Sequence, residues 1–167
     1  MRIFRRMCPD EYSDNTYTID FNELYMKGKR GILFDIDNTL VGHGKPVNDR
    51  ALELFAELNN MGFKTCLISN NGDKRVKPFA DAVGAFYVAK AGKPGRRGYL
   101  EGVADMGIRK DEAVFIGDQV FTDVWGARRA GIYSIMVKQL EKKEPFNIVL
   151  KRILEKPIVA IDKLSMK

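Results

Sequence analysis

Two aspartates one residue apart, Asp35 and Asp37, stand at the end of the apolar run Gly31-Ile32-Leu33-Phe34. They can share one cleft only if the chain leaves the extended form there. The chemistry they suit is phosphoryl transfer with divided labour. Asp35 would attack phosphorus to form an aspartyl phosphate, and Asp37 would give a proton to the leaving oxygen, later taking one from the hydrolytic water. A carboxylate attacking an anionic phosphate needs its charge offset. Mg²⁺ suits that task because it prefers oxygen ligands and keeps several waters. Asp35, Asp118 and the backbone carbonyl of Asp37 are the expected protein ligands, with Asp123, five residues after Asp118, orienting the Asp118 loop or a metal-bound water. Ser69 and the Asn70 amide are expected to donate to phosphoryl oxygens, Lys93 to supply positive charge as those oxygens gain charge, and Asn38 to join the phosphate-binding set.

Each member also has a blander reading. An Asp at a strand end often caps a turn or helix, Ser69-Asn70-Asn71-Gly72 has turn composition, and Gly92-Lys93-Pro94 reads as a plain loop. Their joint appearance in this order, each after an expected strand, favours the chemical reading.

The elements that must position them follow from periodicity. Five buried strands are expected at residues 31–35, 63–69, 85–89, 113–116 and 133–137. Between them helices are expected at residues 48–60 (apolar at Leu52, Phe55, Ala56 and Leu58 after an Asn/Asp cap), 75–82, 96–106 and 122–130. Strands alternating with helices predict an α/β fold, a Rossmann-like three-layer α/β/α sandwich around a five-stranded, mostly parallel sheet. Such sheets bind ligands at the carboxyl ends of their strands, where these residues fall.

Length and composition set the outer bounds. The 167 residues, 45% hydrophobic, suit one domain, with a core at about residues 30–138, a basic N-terminal segment 1–29 and a basic amphipathic C-terminal segment 139–167. No apolar run reaches membrane-spanning length and no signal peptide is visible, so a cytoplasmic protein is expected. Net charge is +6, and the ends carry more than all of it: residues 1–7 and 138–167 together hold +7 while the middle is near neutral. A basic fringe on a neutral domain suits solubility or an anionic surface, lipid or nucleic acid. Cys66 is expected to be buried and reduced. Neither it nor Cys8 has the Arg six residues on that a cysteine phosphatase needs: Gly72 and Asp14 stand there. No phosphate-binding P-loop is spelled near Gly92, and His43 reads as a surface residue.

In Phe34-Asp35-Ile36-Asp37-Asn38-Thr39-Leu40, Ile68-Ser69-Asn70, Lys93-Pro94 and Gly117-Asp118 through Asp123, the sequence resembles the four motifs of the haloacid-dehalogenase-like phosphohydrolase superfamily. The resemblance covers roughly residues 30–138. It implies an aspartyl-phosphate mechanism, Mg²⁺ and a five-stranded Rossmann-like core, and the second Asp of the first motif points to a phosphatase. Neither the 37–69 nor the 69–93 interval has room for the cap domain many members carry, so a capless form with a large or surface-presented substrate is expected. Cys8-Pro9-Asp10, Arg75-Val76 and Ala91-Gly92-Lys93-Pro94 add similarity to the capless subgroup containing phosphatidylglycerophosphate phosphatases. That similarity implies a phospholipid headgroup as substrate at the inner face of a membrane, with Arg75, Arg96 and Arg97 available for a second phosphate. The alternatives are a capless phosphatase acting on a nucleic-acid end, a phosphoprotein or a soluble metabolite, and a non-catalytic scaffold. Retention of Asp37 speaks against the scaffold, since binding alone needs no proton donor.

Residues 145–155 open with Pro145 and place Phe146, Val149, Leu150, Ile153 and Leu154 on one helical stripe, with Lys151 and Arg152 off it. The expected outcomes are packing on the domain, packing on a second copy, or rest on anionic lipid as a peripheral helix.

Overall fold

The computed structural model describes residues 7–141 and 145–165. Arg2, Arg5 and Arg6 of the basic N-terminus, together with Lys142, Lys143 and Lys167, lie outside the described residues.

The five expected strands are present as β2 (Gly31–Phe34), β3 (Lys64–Ile68), β4 (Phe86–Val88), β5 (Ala113–Gly117) and β6 (Tyr133–Val137). A sixth, β1 (Glu11–Ser13), was not expected. The order is β1-β6-β5-β2-β3-β4, and every pairing is parallel. β1 has three half-buried residues and no apolar run, so it carries no strand signal of its own. Asp10 recruits it: the Asp10 carboxylate accepts from Ser134 N at 2.8 Å, and Asp10 N donates to Ser134 O at 2.9 Å.

Strand alternation divides the core into two layers. Ile32, Phe34, Leu67, Val114 and Ile116 face one side, where they meet α1 (Phe21–Met26), α2 (Asp49–Asn60) and α3 (Asp73–Val83). Leu33, Cys66, Ile68 and Phe115 face the other, against α4 (Arg97–Asp105) and α5 (Trp125–Ala130). The period of two within runs apolar throughout is what a sheet covered on both faces requires. α1 was also unforeseen; Asp20 caps it by accepting from Glu23 N, and Phe21 and Leu24 bury its short apolar face. In α2 the buried stripe is Ala51, Leu54, Phe55 and Leu58, a strict i, i+3, i+4, i+7 set. Leu52 and Ala56, expected inside, are exposed because they lie off that stripe.

The expected helix at 122–130 begins differently. Residues Val120–Val124 form one π-helical turn, with Val124 N bonded to Gln119 O at 3.1 Å, before α5 starts at Trp125. Such turns insert a residue and re-aim the side chains beside it, here Asp123. No domain is inserted between β2 and β3, or between β3 and β4. α6 (Phe146–Ser165) runs past this π-helical turn.

Candidate active site

β2 ends at Phe34, but Asp35 N still donates to Ile116 O of β5 at 2.9 Å, so the sheet holds Asp35 in place. Beyond it the chain turns back on itself. Ile36 O accepts from the amides of Thr39 and Leu40, and Asn38 N donates to Val41 O at 2.7 Å. Asn38 takes a left-handed φ of 62°, which Asn tolerates better than most residues. This departure from extended form lets Asp37 reach the cleft that Asp35 faces. Asp37 Oδ1 accepts from Gly44 N at 2.8 Å and from Arg75 Nη2 at 2.9 Å, while Oδ2 accepts from Asn71 Nδ2 at 2.9 Å.

Lys93 lies at the centre. Its ammonium donates to Asp35 Oδ1 and to Asp123 Oδ1, at 2.7 Å each, with only 4% of the side chain exposed. Asn70 sets the lysine's backbone from both sides: Asn70 Oδ1 accepts from Lys93 N at 2.7 Å and Nδ2 donates to Lys93 O at 3.1 Å. Ser69 is buried at the end of β3, and its Oγ accepts from Asn71 N at 3.1 Å. The other oxygen of Asp123 accepts from the amides of Asp118 and Gln119, both at 3.1 Å, and so shapes the Asp118 loop. Gly117 permits this approach, since a Cβ there would lie 2.6 Å from Asp123 Cβ. Thr39 Oγ1 donates to Asp118 Oδ1 at 3.2 Å.

One partner was unforeseen. Arg152 of α6 donates through Nη1 to Asp118 O at 3.1 Å and through Nη2 to Asp118 Oδ2. The helical pattern places Arg152 off the apolar stripe; in the structure it points inward, to the buried Asp118 carboxylate. A salt bridge between residues 34 positions apart leaves no periodic trace, so sequence reading had no signal for it. Between α6 and the β1–β6 edge lies a cleft of ≈ 710 Å³ that opens onto Asp118 and is lined also by Tyr12, Asp14, Val137, Lys138 and Arg152.

Other expectations shift in detail. Asn38 is buried and its side-chain oxygen accepts from Glu141 N at 3.1 Å. Arg75 is engaged with Asp37. Arg96 and Arg97 are exposed, the latter paired with Glu101. His43 is exposed and Cys66 buried, both as expected.

The electrostatics follow from crowding without water. Burial pushes the Asp35 carboxyl up to about 7; Lys93 opposes this and Asp123 adds to it. Burial also holds Asp118 well above its ordinary value, reinforced by Asp123 and Asp35 and opposed by Arg152. For Lys93, burial alone would depress the ammonium, but the charges of Asp123 and Asp35 outweigh it and raise it. Oxygen atoms of Asp35, Asp118 and Asp123 lie within 4.8 Å of one another. A compact, all-carboxylate donor set with more negative than positive charge suits a hard divalent cation.

Comparison with known proteins agrees with this geometry. The family description of haloacid dehalogenase-like hydrolases matches residues 43–131, a span that holds Ser69, Lys93, Asp118 and Asp123 and begins after the Asp35–Asp37 loop. The chain is 35% identical over 153 residues to the probable phosphatase YqeG of Bacillus subtilis, covering 91% of this chain and 89% of that protein. It is 28% identical to the chloroplastic phosphatidylglycerophosphate phosphatase 1 of Chlamydomonas reinhardtii, covering 85% of this chain and 57% of that protein. A solved phosphatase structure from Thermococcus onnurineus shares the fold with a TM-score of 0.56 at 15% identity, over 75% of this chain and 97% of that one. With the motifs on one cleft of a capless sheet, the chain belongs to the haloacid dehalogenase-like hydrolases and is a phosphatase of that family.

Proposed function

We propose that the protein is a Mg²⁺-dependent phosphomonoesterase that works through an aspartyl phosphate on Asp35, with the terminal phosphate of phosphatidylglycerophosphate as its substrate. The observation that carries the chemical half is the pair of 2.7 Å contacts by which Lys93 bridges Asp35 and Asp123, beside a desolvated Asp118.

An Asp35 carboxylate oxygen attacks phosphorus, and the bond from phosphorus to the leaving alkoxide breaks. Asp37 delivers a proton to that oxygen as it departs. In the second step water attacks phosphorus, Asp37 takes the water's proton, and cleavage of the acyl-phosphate P–O bond returns Asp35 and frees phosphate. Mg²⁺ held by Asp35, Asp118 and the backbone carbonyl of Asp37 supplies, when bound, neutralisation of the phosphoryl oxygens. Lys93 holds Asp35 ready and faces the charge that builds on the equatorial oxygens. Ser69 and the Asn70 amide donate to the same oxygens, and Asp123 keeps the Asp118 loop in register. Three donors on Asp37 make it an acceptor, the state required for the second step. Two of these donors meet Oδ1 and one meets Oδ2, so a lone pair of Oδ2 is left for the proton of the first step.

The lipid half is supported by similarity to the algal enzyme, whose name states that substrate, and by a site without an inserted cap. An open site favours a phosphate presented at a surface over a small metabolite that needs enclosure. Peripheral association with a membrane is part of the same reading.

A substrate panel tests it. In mixed micelles with Mg²⁺, kcat/KM for phosphatidylglycerophosphate is expected to exceed that for sugar phosphates and for 3′- or 5′-phosphorylated oligonucleotides by about a hundredfold or more, since remote binding energy is available only to the full substrate. Equal or faster turnover of a soluble phosphate would contradict the lipid assignment and leave the phosphatase assignment intact.

A further inference from the structure

α6 packs with its amphipathic sense reversed. Its inward arc is polar: Arg152 binds Asp118, Glu155 is buried and accepts from Phe121 N at 3.0 Å, and Asp162 accepts from Tyr12 Oη at 2.8 Å. Ile158 alone among its large apolar residues is buried. Phe146, Leu150, Ile153, Leu154, Ile161 and Leu164 are all more than half exposed. At 3.6 residues per turn these six fall within an arc of roughly 100° on one side of the helix, and Pro157 lies in the same arc. A soluble helix held by polar tethers and showing this much aliphatic surface is awaiting a partner.

The charges of α6 identify that partner. Both acidic residues, Glu155 and Asp162, are turned toward the domain. The exposed charged residues are all basic: Lys151 and Lys156 border the apolar arc, one on each side, while the Lys163 ammonium lies over the Tyr12 ring of the domain. An apolar face edged by lysines, with its acids withdrawn, matches an anionic bilayer surface: the aliphatic side chains enter the acyl boundary and the lysines reach headgroup phosphates. A second copy of the chain would bring those same lysines together. The helix is not long and apolar enough to cross a membrane.

We propose that the outward face of α6 is the surface by which this protein docks on anionic lipid. The docked helix lies in the plane of the interface while Arg152, on its opposite side, ties it to Asp118. The active site is thereby held close to the headgroup layer, where a lipid-borne phosphate is presented. This extends the lipid-headgroup reading, and vesicles without any phosphomonoester separate docking from substrate choice.

The test is sedimentation of the full chain with vesicles of mixed phosphatidylcholine and phosphatidylglycerol, against phosphatidylcholine alone. Binding is expected only to the mixed vesicles, and should weaken about tenfold in high salt or with Lys151→Glu plus Lys156→Glu. Leu150→Glu plus Ile153→Glu is expected to weaken it by at least about tenfold. All four positions are exposed and outside the site, so hydrolysis of a soluble aryl phosphate is expected to stay at the wild-type rate and thereby report an intact fold. Equal binding to both vesicle types, or wild-type binding by the Leu150/Ile153 variant, would overturn the proposal. So would a dimer in sedimentation velocity that the Leu150/Ile153 variant dissolves while neither form binds vesicles.

Discussion

Asp35→Asn is expected to lower kcat on an aryl phosphate with Mg²⁺ by at least about 10⁴-fold, the scale on which loss of a covalent nucleophile is felt. The amide keeps the carboxylate's shape and an oxygen for Lys93, so the site stays assembled and the loss reports chemistry. Stability is expected to move the other way in metal-free buffer. The folded protein favours protonated Asp35 up to pH about 7, against an ordinary value of 3.8. Stability that Asp35 contributes at low pH is therefore lost as the pH rises through about 7, and above that the ionised carboxylate is a burden. A neutral Asn removes the burden. In chelator at pH 8 the variant is expected to unfold at higher urea than wild type, and the gap should close toward pH 4. Unfolding midpoints that differ equally at both pH values would show that the Asp35 environment is not desolvated as described.

Lys93→Met is expected to be the most damaging substitution for the fold. It leaves Asp35 and Asp123 buried and crowded, with Arg152 on Asp118 as the remaining neighbouring cation. Removing one partner from a buried ion pair costs about 3–5 kcal/mol, and here one cation serves two anions. Because the folded protein holds the Lys93 ammonium above its ordinary value of 10.5, its contribution is fully present below that pH and lost only as the pH rises beyond it. Urea denaturation in chelator at pH 7 measures the loss. Mg²⁺ is expected to restore more stability to the variant than it adds to wild type, since the bound ion takes over part of the lost charge; at a concentration a hundred times Kd the general gain is about 2.7 kcal/mol. Activity would still fall by about 10²–10³, because charge on the equatorial oxygens loses its fixed counter-charge. A variant as stable as wild type in chelator would mean that Lys93 does not hold the carboxylates together.

The parts of this protein that could be read from sequence share a physical cause. Strands buried on both faces must be apolar throughout, so 31–34, 64–68 and 113–117 announce themselves, and polar residues at their carboxyl ends stand out by contrast. That is why Asp35, Ser69 and Asp118 were found along with the sheet. β1 was missed because an edge strand of three half-buried residues needs no apolar signature; it is held by backbone pairing and by Asp10. The π-helical turn before α5 was missed because its cause is the demand of the Asp118 and Gln119 amides on Asp123, which periodicity does not encode. α6 was expected as a helix over residues 145–155, and it runs from Phe146 to Ser165. Its apolar stripe left packing on the domain, on a second copy or on lipid open; the inward turn of Arg152 to Asp118 is a long-range pairing that no local pattern records. Asn70 and Arg75 meet the Lys93 backbone and Asp37, long-range contacts that no local pattern encodes.

The central claim is that phosphate passes through a covalent bond to Asp35. The direct measurement is rapid acid quench during turnover of an aryl phosphate with Mg²⁺, borohydride reduction, and peptide mass spectrometry. An acyl phosphate on Asp35 is reduced to homoserine, so the expected result is homoserine at position 35 in turning-over enzyme and unchanged Asp35 in enzyme without substrate. Active enzyme that yields no reduced residue at 35, or yields it at another aspartate, would contradict the account.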